Sequence, residues 1–317
     1  MSQFPSTPVI VIVGPTGSGK SELALEIAVQ LGGEIVNCDS VQVYRGFEIG
    51  AAKTPVNQRR SVPHHLIDVL GPGQELTAGA YARLARPLIQ DIEQRDRLPI
   101  VVGGTGFYLR ALLDGLSPAP TRDSQLRKRL ESIAVRRPAF LHRALRRYDR
   151  AAASRIHPND VPKLIRAIEI SRLTGKSATE AQEAPREGFT GVTVLKIGLA
   201  PDRKLLYAKL NERASWMFHN GLVEETQRLL TSGYARDSKP MQSLGYKQAL
   251  EVIEGTCSFE SALTECQAKT RQYAKRQTTW FRAEAGVHSL KSFGSEAPII
   301  QSALELSKAF LEGRYIP

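Results

Sequence analysis

Short apolar runs alternate with helical patterns along the first third of the chain. The runs Val9–Val13, Glu34–Cys38 and Leu98–Val102 are wholly or mostly apolar, which is typical of strands buried on both faces of a parallel sheet. Residues 22–31 and Thr77–Gln94 repeat apolar side chains at intervals of three and four, as amphipathic helices do. This order predicts an α/β fold with a parallel sheet.

Helical patterns dominate the rest of the chain. Helical spacing is found in residues 118–188, 203–230, 269–282 and 297–317. A further apolar run, Thr193–Leu199, predicts a strand that returns the chain to the core. The sequence therefore predicts a core formed by 1–117 and 189–317, interrupted by a helical insertion domain at 118–188. Within the insertion we expect a helix over Val161–Thr174, with Asp160 as its N-cap.

Residues 41–75 show neither the apolar runs of buried strands nor the spacing of three and four typical of helices. Glycine and proline recur through them, which predicts a long irregular loop region of functional importance.

Composition narrows the class of protein. The 317 residues carry 43 Lys and Arg against 32 Asp and Glu, a net charge of +11, which favours a polyanionic partner. The charge is concentrated, because residues 122–150 hold ten basic residues against three acidic ones. So dense a face of one sign favours an anionic partner, although a solvated helix surface is the alternative.

Cysteine and histidine exclude two further classes. Three cysteines without C-x-x-C spacing argue against a disulfide framework and against a zinc site, and the six histidines show no metal-ligand spacing. The N-terminus has no basic region, and the apolar run that follows is too short for a signal or a membrane span. We therefore expect a cytoplasmic protein with free thiols and no membrane partner.

The turn after the first strand fits the phosphate-binding pattern G-x-x-x-x-G-K-[ST]. Its residues are Gly14, Pro15, Thr16, Gly17, Ser18, Gly19, Lys20 and Ser21. Glycines let backbone N–H groups turn inward around an anion, and the helix N-terminus adds partial positive charge. Lys20 supplies a full charge, and the Ser21 hydroxyl can hold Mg²⁺. The P-loop predicts a phosphate site of the NTPase-like kind, but it does not identify the phosphate compound.

Two other strand ends supply candidate chemistry. Asp39 follows the second strand, at the sheet edge where ligands bind, although it could instead cap a helix. The third strand ends in Gly103–Gly106, where an ATP-hydrolysing protein usually carries an acidic residue. Thr105 offers a neutral hydroxyl there, or a helix cap. Asp68 is a weaker candidate for the acidic residue that an ATP-hydrolysing protein would need.

The stretch Lys269–Arg282 is the second basic surface. It contains five basic residues, three aromatic residues and no acid. On a helix, Tyr273, Gln277 and Trp280 share one face. Interleaved aromatic and basic side chains favour contact with nucleic acid, whereas the alternative is an amphipathic helix docked on the core. Arg213 is either a surface ion-pair residue or a phosphate clamp.

Several longer stretches match one known family. They are GPTGSGKS (14–21), CDSVQVYRGFEIGAAKT (38–54), PHHLIDV (63–69), VVGGTGFYLRALLDGL (101–116), HPNDVPKLIRAIEI (157–170), GLVEE (221–225), LGYKQAL (244–250) and TRQYAKRQTTWFR (270–282). In these motifs the sequence resembles the bacterial tRNA dimethylallyltransferases, or isopentenyltransferases. The resemblance implies transfer of a dimethylallyl group from dimethylallyl diphosphate to the N6 amine of the adenine immediately 3′ of a tRNA anticodon.

The resemblance also implies roles for residues. Asp39 would take the proton of the amine, and Thr105 would lie at the reaction centre. Lys20, Arg213 and Mg²⁺ on Ser21 would neutralise the diphosphate.

Contacts with the tRNA anticodon stem-loop are implied over most of the chain. They are Asp39, Ser40, Val41, Gln42, Thr105, Arg127, Lys163, Leu164, Ile165, Arg166, Ala167, Gln242, Ser243, Leu244, Gly245, Tyr246, Lys247, Lys275, Arg276, Gln277, Thr278, Thr279, Trp280, Phe281 and Arg282. Lys163 stands where relatives commonly have arginine, so charge is retained but the bidentate fork is lost.

Two alternatives explain part of the sequence. A small-molecule or nucleoside kinase using ATP accounts for residues 1–116 but leaves both basic surfaces without a role. A non-enzymatic RNA-binding protein accounts for the charge but not for an intact P-loop beside a carboxylate. For the enzyme we expect a monomer.

Overall fold

The structure, a computed structural model, describes residues 6–117 and 119–314. The predicted boundary at Pro118 and the last three residues of the predicted C-terminal helix lie outside these ranges. By compactness the chain forms a core unit, Met1–Leu113 with Phe189–Pro317, and a helical unit, Asp114–Gly188. Among the described residues, no helix combines the length and the apolar character needed to cross a bilayer.

The core unit is built on a parallel sheet. Its strands are β1 (Thr7–Val13), β2 (Gly33–Asn37), β3 (His64–His65), β4 (Leu98–Val102), β5 (Val192–Leu199) and β6 (Val287–Leu290). The order across the sheet is β3-β2-β4-β1-β5-β6, and every pairing is parallel. The α/β parallel-sheet class predicted from the apolar runs is confirmed.

The strand order decides where chemistry can occur. Strand β4 lies between β1 and β2, with Ile100 opposite both Ile10 and Ile35. The carboxyl ends of β2, β4 and β1 are therefore neighbours in space, although these strands are separated in sequence. Ligands bind at such an edge.

Two edge strands were not predicted. Strand β3 interrupts the region expected to be irregular throughout, and β6 follows the long basic helix. Each is short and lies at an edge of the sheet, where pairing uses backbone atoms and needs little apolar patterning. Burial along β6 is confined mainly to Leu290.

Helices flank the sheet and form the helical unit. They are α1 (Lys20–Leu31), α2 (Ala78–Gln94), α3 (Gly106–Leu113), α4 (Ser124–Arg136), α5 (Phe140–Tyr148), α6 (Arg150–Arg155), α7 (Val161–Thr174), α8 (Ala178–Glu183), α9 (Arg203–His219), α10 (Leu222–Thr231), α11 (Tyr246–Ile253), α12 (Phe259–Arg282) and α13 (Ala297–Leu311). The predicted bounds of α7 are confirmed, whereas α12 begins ten residues before the predicted basic stretch.

The main core lies between the sheet and its helices. Ile10 and Ile12 of β1 are fully buried, as are Leu23 and Ile27 of α1. Burying each such side chain contributes roughly 1.5–3 kcal/mol. Because β1 and α1 flank the P-loop, this burial fixes both ends of the loop.

The helical unit has its own core and its own buried acids. Leu141 and Leu145 of α5 pack with Leu164 and Ile168 of α7. Glu169, which is fully buried, forms ion pairs with Arg127 and Arg166.

Asp149 is a second buried acid of the helical unit. It caps α6 at Ala152 N and accepts hydrogen bonds from Thr179. These bonds hold the pKa of Asp149 below its usual value even though burial alone would raise it. Buried carboxylates thus organise a unit whose surface is basic.

Candidate active site

The P-loop is held in a conformation that requires glycine. Gly19 has φ 86°, and a Cβ placed there would lie 2.8 Å from the backbone N of Gly294. Gly294 N in turn donates a hydrogen bond to Ser18 O at 2.9 Å. The segment after β6 therefore packs against the P-loop from one side. No side chain at residue 19 could be accommodated without moving that segment.

Lys20 and Arg213 both line a cavity of about 800 Å³. Lys20 Nζ donates to Pro15 O at 2.6 Å. Desolvation lowers the pKa of Lys20 to about 8, with Asp39 opposing this shift and Arg213 reinforcing it. Desolvation also lowers the pKa of Arg213. Two desolvated cations in one cavity favour a bound anion, so Arg213 has the surroundings of a phosphate clamp rather than of a surface ion pair.

Asp39 follows β2 and uses one carboxylate oxygen in the local turn. Oδ1 accepts from Val41 N at 2.8 Å and from Gln42 N at 3.2 Å. The capping role and a chemical role are thus compatible, because Oδ2 has no hydrogen-bond partner in the part of the chain that the structure describes. The turn orients the carboxylate, and its second oxygen remains available to a ligand.

Thr105 lies on the neighbouring strand end. Its backbone N donates to Cys38 O at 3.4 Å, next to Asp39. Its carbonyl, not its hydroxyl, accepts from Tyr108 and Leu109 at the start of α3. The Oγ1 atom is buried without a partner among residues 6–117 and 119–314. An unpaired buried hydroxyl costs about 1–3 kcal/mol, which favours a ligand role over a side-chain cap.

Two cavities meet at Asp39. A cavity of about 800 Å³ is lined by the P-loop, Arg213 and the Gly103–Gly104 turn, although Thr105 itself does not line it. A cavity of about 420 Å³ is lined by Ser40, Val41 and residues 242–245. The residues shared by both are Thr16, Asp39, Ala51, Arg213, Met217 and Tyr273. The arrangement places Asp39 where ligands in the two cavities would meet.

Tyr273 forms part of the shared wall. Burial raises the pKa of its hydroxyl to about 12, and the negative charge of Asp39 adds to this shift. The hydroxyl therefore stays protonated at neutral pH, and the ring is a fixed neutral surface between the cavities.

The predicted RNA-binding residues of the core unit separate into two groups. Those that line the smaller cavity or are exposed are Ser40, Val41, Gln242, Ser243, Leu244, Gly245, Lys247, Lys275, Arg276, Thr279 and Arg282. Tyr246, Gln277 and Phe281 are buried instead. Trp280 is half-buried beneath Arg110, whose guanidinium lies 4.4 Å from the ring centroid. Thr278 donates within its own helix.

The residues predicted from the helical unit also separate. Leu164, Ile165 and Ala167 lie in that unit's core, so their side chains support the helix. Lys163 is exposed and pairs with Asp160 at 2.6 Å. Arg166 pairs with Glu169 at 2.5 Å and donates to Pro120 O.

Arg127 lies against the same buried acid. Its Nε lies 3.2 Å from Glu169 Oε1, close enough for an ion pair, although the angle is too poor for a hydrogen bond.

Three positioning contacts were missed from the sequence. Glu225, buried at the start of α10, accepts from Ile49 N, Gly50 N and the Tyr246 hydroxyl. It thereby fixes the loop that carries Ala51. Its motif, GLVEE, was a signal, but nothing local identifies its distant partners.

Lys53 is the second of these contacts. Its fully buried ammonium donates to Tyr44 O at 2.8 Å, to Glu48 at 3.0 Å and to Asp68. Asp68 is thus engaged by Lys53 and lines neither cavity, which argues against it as a substitute acid for Mg²⁺. Among the described residues there is no cluster of three or more acidic, histidine or cysteine side chains suited to a metal.

Gln277 is the third. Its Oε1 accepts from Thr16 N and its Nε2 donates to Gly104 O, each at 2.8 Å.

Comparison with known proteins gives a consistent result. A model of the IPP transferase family matches residues 42–284, and one described as isopentenyl transferase matches residues 7–67. The tRNA dimethylallyltransferase of Solibacter usitatus is 52% identical over 304 residues, covering 96% of this chain and 99% of the relative. That of Koribacter versatilis is 52% identical over 305 residues, covering 96% and 99%.

Solved structures agree. The full-length tRNA isopentenylpyrophosphate transferase of Bacillus halodurans superposes with a TM-score of 0.72 at 35% identity, with 97% of each chain covered. A eukaryotic dimethylallyltransferase acting on tRNA superposes with a TM-score of 0.81 at 27% identity, covering 98% of this chain and 81% of that one.

Proposed function

The chain belongs to the IPP transferase family, whose curated members are tRNA dimethylallyltransferases, and from this premise we propose how its own residues perform the reaction. The enzyme transfers the dimethylallyl group from dimethylallyl diphosphate to the N6 amine of the adenine immediately 3′ of the tRNA anticodon. Diphosphate is released. Membership in this family contradicts the kinase alternative, and the non-enzymatic alternative with it.

One observation carries the residue assignment. The carboxylate of Asp39 lies on the wall shared by the two cavities, one lined by the P-loop and one by Ser40, Val41 and residues 242–245. The donor binds in the larger cavity and the adenine enters by the smaller one. Asp39 is then the one carboxylate on the shared wall, where the amine meets the prenyl carbon.

The donor diphosphate is held by fixed positive groups. Lys20, Arg213 and the N-terminus of α1 surround it, and Thr105, which follows the cavity-lining Gly104, orients the bridging oxygen that leaves. Lys20 and Arg213 are desolvated before the donor arrives, so they stabilise the developing negative charge with little reorganisation.

The donor site also fits Mg²⁺. The Ser21 hydroxyl would be the protein ligand, and the buried Ser18 hydroxyl, which has no hydrogen-bond partner among the described residues, lies in the same loop. Mg²⁺ prefers oxygen ligands and keeps several waters, so one protein oxygen with the diphosphate oxygens is sufficient. When bound, the ion adds charge neutralisation for the leaving group.

Transfer then needs one proton acceptor. The N6 amine forms a bond to the first carbon of the dimethylallyl group as the carbon–oxygen bond breaks, and diphosphate leaves with the electron pair. The amine proton passes to Asp39 Oδ2, the oxygen that the turn leaves free. The flipped adenine fills the smaller cavity and keeps water from the electron-poor prenyl carbon.

The basic surfaces bind the tRNA backbone. Within the helical unit, Arg143, Arg146 and Arg147 are exposed, and none has an ion-pair partner among the residues described. Lys275 and Arg276 are exposed on α12. Phosphate neutralisation by such side chains supplies affinity without reading sequence. We propose the helical unit as a tRNA-contacting domain of a monomeric enzyme.

The test is transfer of labelled prenyl from dimethylallyl diphosphate to unmodified tRNA, with Mg²⁺, beside ATP and AMP as acceptors. We expect label on tRNA alone. Label on the free nucleotides would keep the chemistry and overturn the acceptor. Consumption of ATP without prenyl transfer would overturn the function.

A further inference from the structure

Gln277 faces inward from α12. The residue is only 6% exposed, although it lies between Lys275 and Trp280 in the stretch predicted to contact RNA. Burying a primary amide is costly unless both its donor and its acceptor are satisfied. Both are satisfied here, and by two separate pieces of the donor site.

The two partners come from neighbouring strand ends. The side-chain oxygen accepts from Thr16 N in the P-loop, and the side-chain nitrogen donates to Gly104 O in the turn after β4, both at 2.8 Å. Thr105 follows directly. One side chain thus spans the gap between the loop that holds the diphosphate and the turn that carries the Thr105 hydroxyl.

The Gly104 turn packs tightly against this amide, although Gln277 also lines the larger cavity. A Cβ at Gly104 would lie 2.3 Å from Gln277 Nε2, so the turn approaches the amide as closely as backbone can. The Thr16 N–H is also taken, and the diphosphate must use the other N–H groups of the P-loop. Glutamine is required because the position needs one acceptor and one donor on the same planar group.

We propose that Gln277 is a positioning residue for the prenyl-transfer reaction, fixing the P-loop relative to Thr105, and that it does not contact tRNA. This inference rests on the proposed function. It assigns α12 two faces with separate roles, an inward amide that aligns the donor and an outward basic face toward RNA. Misplacing reacting groups by about 1 Å can lower the rate a hundredfold, so loss of the two hydrogen bonds of this amide should slow turnover.

The first test is Gln277→Met, which keeps length and loses both hydrogen bonds. Gln90→Met makes the same change at an exposed position of α2, outside both basic surfaces, and is the matched control. We expect Gln277→Met to lower the single-turnover rate at saturating tRNA by about tenfold or more and to raise the donor KM. The tRNA Kd should stay within about twofold of the wild-type value. The control should match wild type in all three quantities.

The second test is Gln277→Glu, which retains the acceptor for Thr16 N. When ionised the new carboxylate cannot donate to Gly104 O, but when protonated it can. Burial favours the protonated form, so activity relative to wild type should recover as the pH falls from 8 to 6. This variant also serves if the methionine variant does not fold.

The outcomes are separable. A weakened tRNA Kd with an unchanged single-turnover rate would make Gln277 an RNA contact and overturn the inference. A lower Tm with wild-type rate per active site, wild-type donor KM and a flat pH ratio would leave only a structural role and overturn it as well. Failure of wild-type enzyme to prenylate tRNA would instead overturn the proposed function.

Discussion

The donor site of the core unit and the surface of the helical unit are both basic, but they carry their charge in opposite ways. Lys20 and Arg213 are desolvated in a cavity, and the pKa of each is lowered by that environment. Arg143, Arg146 and Arg147 project from α5 into solvent. Desolvated cations bind one small anion strongly at a fixed place, whereas solvated cations attract an extended polyanion weakly at each point.

The difference teaches that charge counts alone do not distinguish a reaction site from a binding surface. The donor site is built by glycine-dependent backbone and by buried hydrogen bonds, which resist motion. The helical unit is stabilised by its own apolar core and by buried Glu169 and Asp149. Arg143, Arg146 and Arg147 take no part in these interactions, so we expect their charges to be dispensable for folding and available for RNA. The experiments below test this separation, beginning with the largest effect.

Asp39 should give the largest effect. Asp39→Ala should lower turnover by about a hundredfold or more, because the amine loses its base, while tRNA still binds. Asp39→Asn is the sharper variant, since its amide oxygen can keep accepting from Val41 N and Gln42 N. Steady-state kinetics and filter binding with tRNA measure both effects. Wild-type turnover in Asp39→Asn would remove the general-base role.

Substitution of Arg213 should weaken binding of the donor and leave tRNA binding unchanged. Arg213→Gln should raise the donor KM by about ten- to a hundredfold, because a desolvated cation beside the diphosphate is lost. The tRNA Kd should not change. Arg203→Gln, an exposed position on the same helix, is the control. An effect confined to tRNA binding would contradict the separation of the two basic regions.

Lys20 should make donor binding depend on pH. Its pKa is lowered to about 8 in the free site, so the ammonium is lost as the pH rises through 8, and donor KM should rise about tenfold between pH 7 and pH 9. The effect of this pKa on folding stability has the opposite sign to its effect on donor binding. The folded state binds fewer protons at Lys20 than the unfolded chain between about pH 8 and the ordinary lysine pKa, so this group favours folding more as pH rises there. Lys20→Arg stays charged and should flatten the KM profile. A flat wild-type profile would contradict the assignment.

The contribution of the helical unit to tRNA binding should depend on salt concentration. Arg146→Gln with Arg147→Gln should weaken tRNA binding by about tenfold at low ionic strength and reduce the slope of log Kd against log salt by about two. Donor KM should not change. Titration of labelled tRNA between 50 and 300 mM salt, about the range in which phosphate contacts weaken, measures the slope. A flat response in the wild-type enzyme would exclude these side chains as phosphate contacts.

Lys163 should give the smallest effect. Lys163→Arg restores the planar fork that relatives commonly have, and we expect tRNA affinity to improve by about two- to threefold at most, because Asp160 already holds this side chain. Competition binding against the wild-type enzyme resolves a change of that size. A tenfold gain would show that a specific contact had been missing.

Much of the architecture follows from local sequence. The apolar runs at β1, β2 and β4, and the bounds of α7 with its Asp160 cap, are determined by periodicity and by capping chemistry that act within a few residues. The same holds for the P-loop between β1 and α1, because its glycines, Lys20 and Ser21 are all supplied by one continuous segment.

Other features were decided only when distant segments met. Periodicity shows that Tyr273 and Gln277 share a face of α12, but not that this face meets the P-loop and the Gly104 turn. It leaves Arg213 undecided between surface and cavity, and it does not mark Glu225 or Lys53 as partners of a remote loop. Edge strand β3 has no apolar signal because backbone pairing alone forms it. Local interactions choose the elements, whereas burial and hydrogen-bond satisfaction between remote elements choose which side chains face the chemistry.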